Sequence, residues 1–330
     1  VAVAIIMSWV VLATLAWSGW DQMRPIGHIQ SCYVEKFATP RQGAVTPDAL
    51  ARLQIELGGG LDPRAALDGL DEYSHVWLLW AAHLNGHSAT QAKVRAPRLR
   101  GGKAGVFATR SPFRPNPIGL SLVRLCAING NTLSLAGVDL VSGTPILDVK
   151  PYIPSYDAPS AAHTVHAAEW VDPPRMPVFF SSEALSALDA LAMAEKGKER
   201  RAGRSTERCT TLHSSGSTSN ESHDIASVSW LERQRTDGSQ PLLDATALQR
   251  TLEQTLGADP RPLYRWRRER AAGQGESNVD ATGAAHYEIK LDGVRARCRF
   301  EMTRGDDADG DAGGLEEVVT VLSVEPLPPT

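Results

Sequence analysis

Between Gly105 and Ser121 the chain reads G-V-F-A-T-R-S-P-F-R-P-N-P-I-G-L-S, and three prolines at 112, 115 and 117 alternate with Arg110, Arg114 and Asn116. Proline fixes φ, lacks a backbone donor and pushes the residue before it out of the helical region. Ser111, Arg114 and Asn116 are therefore driven toward extended or turn geometry. The segment reads as a stiff, non-helical track that aims two guanidiniums and an amide in a narrow range of directions. Such a track suits a small anion or a polyanion. A plain proline-rich surface loop is the ordinary alternative, but binding residues favour loops that a scaffold positions. Lys93, Arg95, Arg98, Arg100 and Lys103 join Arg110 and Arg114 in 22 residues without an acid. That stripe is the electrostatic footprint of a polyanion partner, against the alternative of a solvated face.

Two further blocks carry polar groups in constrained settings. In D-P-R-P-L-Y, from Asp259 to Tyr264, Pro260 and Pro262 hold the backbone extended, so Asp259, Arg261 and Tyr264 can point at one place. Arg265, Arg267, Arg268 and Arg270 follow at once. In D-L-V-S-G-T-P-I-L-D-V-K-P-Y, from Asp139 to Tyr152, a Ser142-Gly143-Thr144 turn joins two apolar runs. Gly143 lets a ligand approach the backbone closely, and Asp139, Asp148 and Lys150 sit at the strand ends. A plain hairpin with satisfied charges stays open as the alternative.

Other chemistries lack their signatures. There is no Walker loop, no H-E-x-x-H and no G-x-S-x-G. Gly58-Gly59-Gly60 follows an expected helix rather than a strand, so it is no dinucleotide fingerprint. His83 and His87 have i,i+4 spacing but no nearby carboxylate, and no metal site is expected. Cys32, Cys126, Cys209 and Cys298 form no C-x-x-C, which fits reduced thiols in an intracellular protein.

These residues need elements to hold them. A chain of 330 residues suggests two domains. The net charge of −4 excludes a uniformly basic nucleic-acid binder but not a local basic patch. Residues 1–20 carry no charge and have the length of a bilayer-spanning helix, so an N-terminal hydrophobic helix is expected, as an anchor or as a leader without a role. Alternating or apolar runs predict strands over Ile26–Tyr33, Ser74–Ala82, Gly105–Thr109, Leu120–Ile128, Thr132–Leu140 and Thr144–Lys150, with Ser74–Ala82 buried on both faces. A turn at Asn129-Gly130-Asn131 links two of them. Ala44–Leu57 reads as a helix, with Thr46 as cap and Pro47 at its first position. Many short strands suggest a closed barrel over residues 24–170. Ser181–Glu199 reads as an amphipathic helix, and 200–240 as a polar, disordered insertion. Residues 242–326 form a small α+β unit: a helix from the Asp244 cap to Gly257, a hairpin of His286–Leu291 and Val294–Met302 turning at Asp292-Gly293, a polar patch over 305–314, and a last strand Val318–Val324.

Together these blocks resemble the tRNA adenosine-37 N6-methyltransferases, the TsaA-like or class VIII methyltransferase family. The matching pieces are F-A-T-P-R-Q from Phe37, G-L-D-E-Y-S-H-V-W-L-L from Gly69, the proline-arginine run from Gly105, the block from Asp139, and D-P-R-P-L-Y from Asp259. The resemblance implies a mainly β protein: a β-barrel methyltransferase domain that binds S-adenosylmethionine, a small α+β C-terminal domain, and a homodimer. It implies methylation at N6 of N6-threonylcarbamoyladenosine 37 in a tRNA anticodon loop. It places the cofactor against Pro40, Arg41, Gln42, His83, Leu84, Arg110, Leu120, Thr144 and Pro145. Asp259, Arg261 and Tyr264 are the implied catalytic residues, at the site of a partner subunit, and Arg114, Arg265 and Arg267 would meet the RNA. Location on the cytoplasmic side follows from a tRNA substrate, with or without the N-terminal anchor. A non-catalytic RNA-binding or adaptor module on the same barrel, tethered to a membrane, is the alternative.

Overall fold

The computed structural model describes residues 23–36, 38–85, 91–96, 99, 102–159, 164–168, 170–171, 175–202, 242–259, 286–304 and 315–327. The expected N-terminal helix, the polar insertion beyond residue 202 and the 305–314 patch lie outside them. Among the described residues no helix is long and apolar enough to cross a membrane.

Eight strands precede residue 152: β1 (Gly27–Ser31), β2 (Leu50–Gln54), β3 (His75–Ala81), β4 (Lys93–Arg95), β5 (Lys103–Gly105), β6 (Ile118–Asn129), β7 (Thr132–Ala136) and β8 (Pro145–Pro151). Six of them close an antiparallel barrel in the order β1-β2-β7-β6-β3-β8. Period-two alternation sends Ile29, Leu53, Val76, Leu78, Val123, Leu125, Leu133, Leu135 and Ile146 into its core. β4 and β5 form a separate ribbon that exposes Lys93, Arg95 and Lys103. Two single-turn helices, α1 (Pro63–Ala66) and α2 (Pro154–Asp157), punctuate the barrel chain.

Several local expectations are corrected. Ala44–Leu57 is not a helix but a 3-10 turn at Gly43–Val45 followed by β2. Leu50 and Leu53 alternate into the barrel, and β2 pairs on both edges, so tertiary pairing overrides the local cap signal. The Thr46 hydroxyl caps nothing; it accepts from the Tyr33 hydroxyl at 3.1 Å. β3 is buried on one face only: Val76 and Leu78 are inside, while Trp77 and Leu79 are half-exposed, as a closed barrel requires. Val106–Ala108 is a 3-10 turn rather than a strand. The Ser142-Gly143-Thr144 turn makes no hairpin, because β7 and β8 are not neighbours. Instead the Gly143 N–H donates to the Ile29 carbonyl at 2.7 Å and seats the turn on β1.

The second sheet has the order β10-β11-β12-β9, from β9 (Val178–Phe180), β10 (His286–Leu291), β11 (Val294–Arg304) and β12 (Leu315–Pro326). β9 runs parallel to β12 and the rest is antiparallel. Two helices pack on it, α3 (Ser182–Ala202) and α4 (Ala245–Gly257). Asp244 caps α4, accepting from the Ala247 N–H at 2.7 Å, and the helix runs through Gly257 to an Ala258 cap. Asp292 and Gly293 turn β10 into β11 with φ of 47° and 84°, the primed turn that matches strand twist.

Asp292 also closes the fold. Its Oδ2 accepts from the Leu242 and Leu243 N–H groups at 2.8 and 2.7 Å, and its own N–H donates to the Cys32 carbonyl at 2.8 Å. Asp292→Ala leaves two buried donors without their acceptor, and should cost about 3 kcal/mol. Asp292→Asn keeps an acceptor and should cost less; equal unfolding midpoints for the two variants in a thermal melt would contradict this.

Contacts among the described residues tie the sheet and its helix to the barrel. Tyr33 bridges Val141 and Leu291, Lys290 meets Glu35 at 2.6 Å, and Gln254 donates to Asp48 at 2.7 Å. Arg250 pairs with the same Asp48 at 3.4 Å. A continuous apolar core runs through barrel, sheet and α4.

Candidate active site

One end of the barrel collects the residues singled out in the sequence. There β3 and β6 meet, with Trp80 opposite Gly119, and the Ala82 N–H donates to the Pro117 carbonyl at 2.8 Å. The proline track is fastened by its own polar groups and by Asn85. Asn85 donates to the Pro112 carbonyl at 2.7 Å, the Ser111 N–H to the Thr109 hydroxyl at 3.2 Å, and the Phe113 N–H to the Ser111 hydroxyl at 3.3 Å. Arg114 turns back onto the loop: it donates to the Thr109 carbonyl at 3.2 Å and lies over the Phe107 ring. Arg114 thus holds the loop's shape. Arg110 stands out from the same loop, exposed, and its guanidinium donates to the Gln42 side-chain oxygen.

Behind Gln42 the backbone is tightly packed. Gly43 is buried, and a Cβ there would lie 2.0 Å from the Gly137 carbonyl oxygen. The Gly43 backbone acts on the Asp139 carboxylate and favours its ionised form. The Ser121 hydroxyl donates to Asp139 Oδ1 at 2.5 Å, and the Trp80 indole N–H donates to Ser121 Oγ at 3.0 Å. The Trp80 ring covers Gly119, where a Cβ would lie 2.0 Å from it. Burial pushes the Asp139 carboxyl up to about 6; the Ser121, Asp139 and Gly43 hydrogen bonds and the Arg110 charge pull the other way.

The other expected residues fall around this end. His83 and Leu84 form an exposed turn after β3, and Lys36 donates to the Leu84 carbonyl. Partial desolvation, with the nearby His28 and Lys36 acting the same way and the Ala81 backbone opposing, holds the His83 ring below its ordinary value. Leu120 is 48% exposed on the outer face, since its neighbour Ser121 faces inward. Thr144 is buried, and its hydroxyl donates to the Val141 carbonyl at 2.6 Å; Pro145 opens β8 opposite His28.

A small cavity joins two distant motifs. Thr39, Pro40, Arg41 and Val45 line one side, and Thr255, Ala258 and Asp259 the other. Asp259 lines this cavity with the Pro40-Arg41 turn of its own chain. Ala38, beside this cavity, and Asp259, on it, both hold positive φ, 70° and 51°. Such non-glycine strain tends to gather at functional sites. Arg261, Tyr264, Arg265 and Arg267 lie outside the described residues, as do His87, Arg98 and Arg100. Among the described residues no group of three or more His, Cys, Asp or Glu is placed to hold a metal ion.

Sequence reasoning did not pick out Trp80, Ser121, Lys36 or His28. Trp80 and Ser121 read as ordinary positions in apolar strands, and only strand pairing sets them against Asp139.

Known proteins match this architecture. The tRNA-methyltransferase O N-terminal domain matches residues 28–158. The Pseudomonas aeruginosa protein RcsF is 47% identical over 161 residues, covering 48% of this chain and 68% of RcsF. The mouse tRNA (adenine(37)-N6)-methyltransferase is 39% identical over 212 residues, covering 62% of this chain and 47% of the mouse protein. The chain therefore matches less than half of that relative's length. A crystal structure of TrmO superposes with a TM-score of 0.53 at 27% identity, covering 92% of this chain and 98% of the other. With the barrel, the proline-arginine track and two thirds of RcsF matched, this chain belongs to the tRNA-methyltransferase O family.

Proposed function

We propose that the protein methylates N6 of adenosine 37 in a tRNA anticodon loop, on adenosine that already carries threonylcarbamoyl, and that it works as a homodimer. The observation that carries the reading is the meeting of Arg110, from the proline track, with Gln42, from the P-R-Q turn, at the barrel end. The mouse and Escherichia coli relatives are named tRNA (adenine(37)-N6)-methyltransferases. RcsF is named as an S-adenosylmethionine-dependent methyltransferase.

S-adenosylmethionine supplies an electrophilic methyl group on a sulfonium. Arg110 offers a forked guanidinium to its carboxylate, steadied by Gln42. Pro40, Arg41, Gln42, His83, Leu84 and Leu120 form the remaining walls, and Thr144 and Pro145 shape the turn beside β1. The protein's task is to hold two reactants in line, which needs no covalent enzyme intermediate. A carbamoylated N6 is a poor nucleophile, so a base at its proton helps, and Asp259 and Tyr264 are the candidates. Lys93, Arg95 and Lys103 on the β4–β5 ribbon, with Arg265 and Arg267, would meet tRNA phosphates.

The test is incubation with labelled S-adenosylmethionine and unfractionated tRNA, followed by nucleoside analysis. Methyl incorporation into threonylcarbamoyladenosine, and none with tRNA lacking that group, is expected. RNA binding without incorporation would leave an adaptor. Arg261→Ala should lower methylation roughly 100-fold while S-adenosylmethionine affinity stays within about twofold, as for a residue that positions the RNA. Wild-type activity would remove it from the mechanism.

A further inference from the structure

We infer that Asp139 is a positioning residue that sets the anion-binding wall of the site, and that Trp80 and Ser121 fix it from inside the barrel. The inference rests on the reading of Arg110 as the cofactor's anchor. Asp139 joins three segments that are far apart in sequence. Ser121 of β6 and, through it, Trp80 of β3 hold one carboxylate oxygen. The backbone of Gly43, the residue directly after Gln42, acts on the carboxylate and favours its ionised form. Gln42 in turn accepts from Arg110, and the Arg110 charge acts on Asp139 as well. The carboxylate therefore bears on the guanidinium by charge, and it lies beside the turn whose Gln42 side chain accepts from Arg110.

The charged and titratable groups acting on Asp139 are Arg110 from the proline track and Tyr33 from beyond β1. Tyr33 is buried and its hydroxyl is pushed well above its ordinary value, so it stays neutral. Arg110 is then the cation to which ionised Asp139 answers. A partly buried carboxylate whose value is raised is an unfavourable way to build a barrel end, because its ionised form opposes folding at neutral pH. A residue that holds the fold should lose stability when its charge is removed; a residue that aims Arg110 should lose binding instead.

That difference is the test. Asp139→Asn and Ser121→Ala are compared with the wild-type chain by calorimetry with S-adenosylmethionine from pH 5 to 8, by thermal unfolding, and by the indole N–H resonance of Trp80. Wild-type affinity is expected to fall about tenfold as pH drops through 6 and Asp139 takes up its proton. Asp139→Asn is expected to bind about tenfold more weakly at pH 7.5, with no pH step, while melting no lower than wild type at that pH. The Trp80 resonance should titrate near pH 6 in wild type and stay flat in both variants. Asp139→Asn that binds like wild type, or more tightly, overturns the inference alone. So does a Trp80 resonance that ignores pH in wild type. No wild-type binding at any pH overturns the functional reading, and the inference with it.

Discussion

Arg110→Ala is expected to abolish S-adenosylmethionine binding in calorimetry while leaving the unfolding midpoint within about a degree or two of wild type. Arg110 is exposed and its hydrogen bond to Gln42 lies at the surface, so truncation opens no cavity. Its worth is realised against an anion. Each charge-assisted bond contributes about 1.5–3 kcal/mol, so a lost fork is worth more than about 100-fold in affinity. Arg110→Lys keeps the charge but not the planar fork, and should retain weak binding, about tenfold below wild type. Unchanged affinity in the alanine variant would sink the assigned role.

Gly43→Ala is expected to do the second greatest damage, and of a different kind. The new Cβ would lie 2.0 Å from the Gly137 carbonyl oxygen and 3.0 Å from its carbon, and both are backbone. Neither can swing away as a side-chain end could, so the turn after Gln42 must lift. Lifting it breaks the Gly43 contact with Asp139 and draws Gln42 from Arg110. We expect a loss of about 2–3 kcal/mol in stability together with cofactor binding weakened at least about tenfold. Gly105→Ala is the control: nothing lies within 4 Å of a Cβ there and its φ is −56°, so stability and binding should stay near wild type. Matching behaviour of the two variants would refute the packing argument.

Local chemistry made much of this molecule legible in sequence. The Asp292-Gly293 turn, the Asp244 cap and the alternating strands each follow from a few adjacent residues. The proline track was legible for the same reason, since three rings constrain their own neighbours. What was not legible depends on pairing. Residues 44–57 carry a respectable helix start in Thr46-Pro47, yet β1 and β7 claim Leu50–Gln54 as a strand. The contact between Arg110 and Gln42 spans 68 positions, and that between Trp80 and Ser121 spans 41. No local pattern announces either. Arg114 could be read as a loop brace or an RNA contact until the Thr109 carbonyl appeared under it. The implied cofactor residues divide in the same way: Arg110 and Gln42 converge, whereas Thr144 is buried within its own turn.

The strand order of the second sheet has a consequence for how the protein is made. All the barrel strands lie before residue 152, so the barrel can close while the rest of the chain is still on the ribosome. β12 is the final described strand to be synthesised, yet it sits between β11 and β9. Until it emerges, β9 has no partner in that sheet, and Phe179 and its neighbours stand as an exposed, apolar edge. At ordinary elongation rates the wait between β8 and β12 is roughly 10–35 s. The Asp259 side of the cavity is also late, since α4 follows residue 244. A nascent chain would therefore hold the Arg110–Gln42 end of its barrel well before its second sheet is complete.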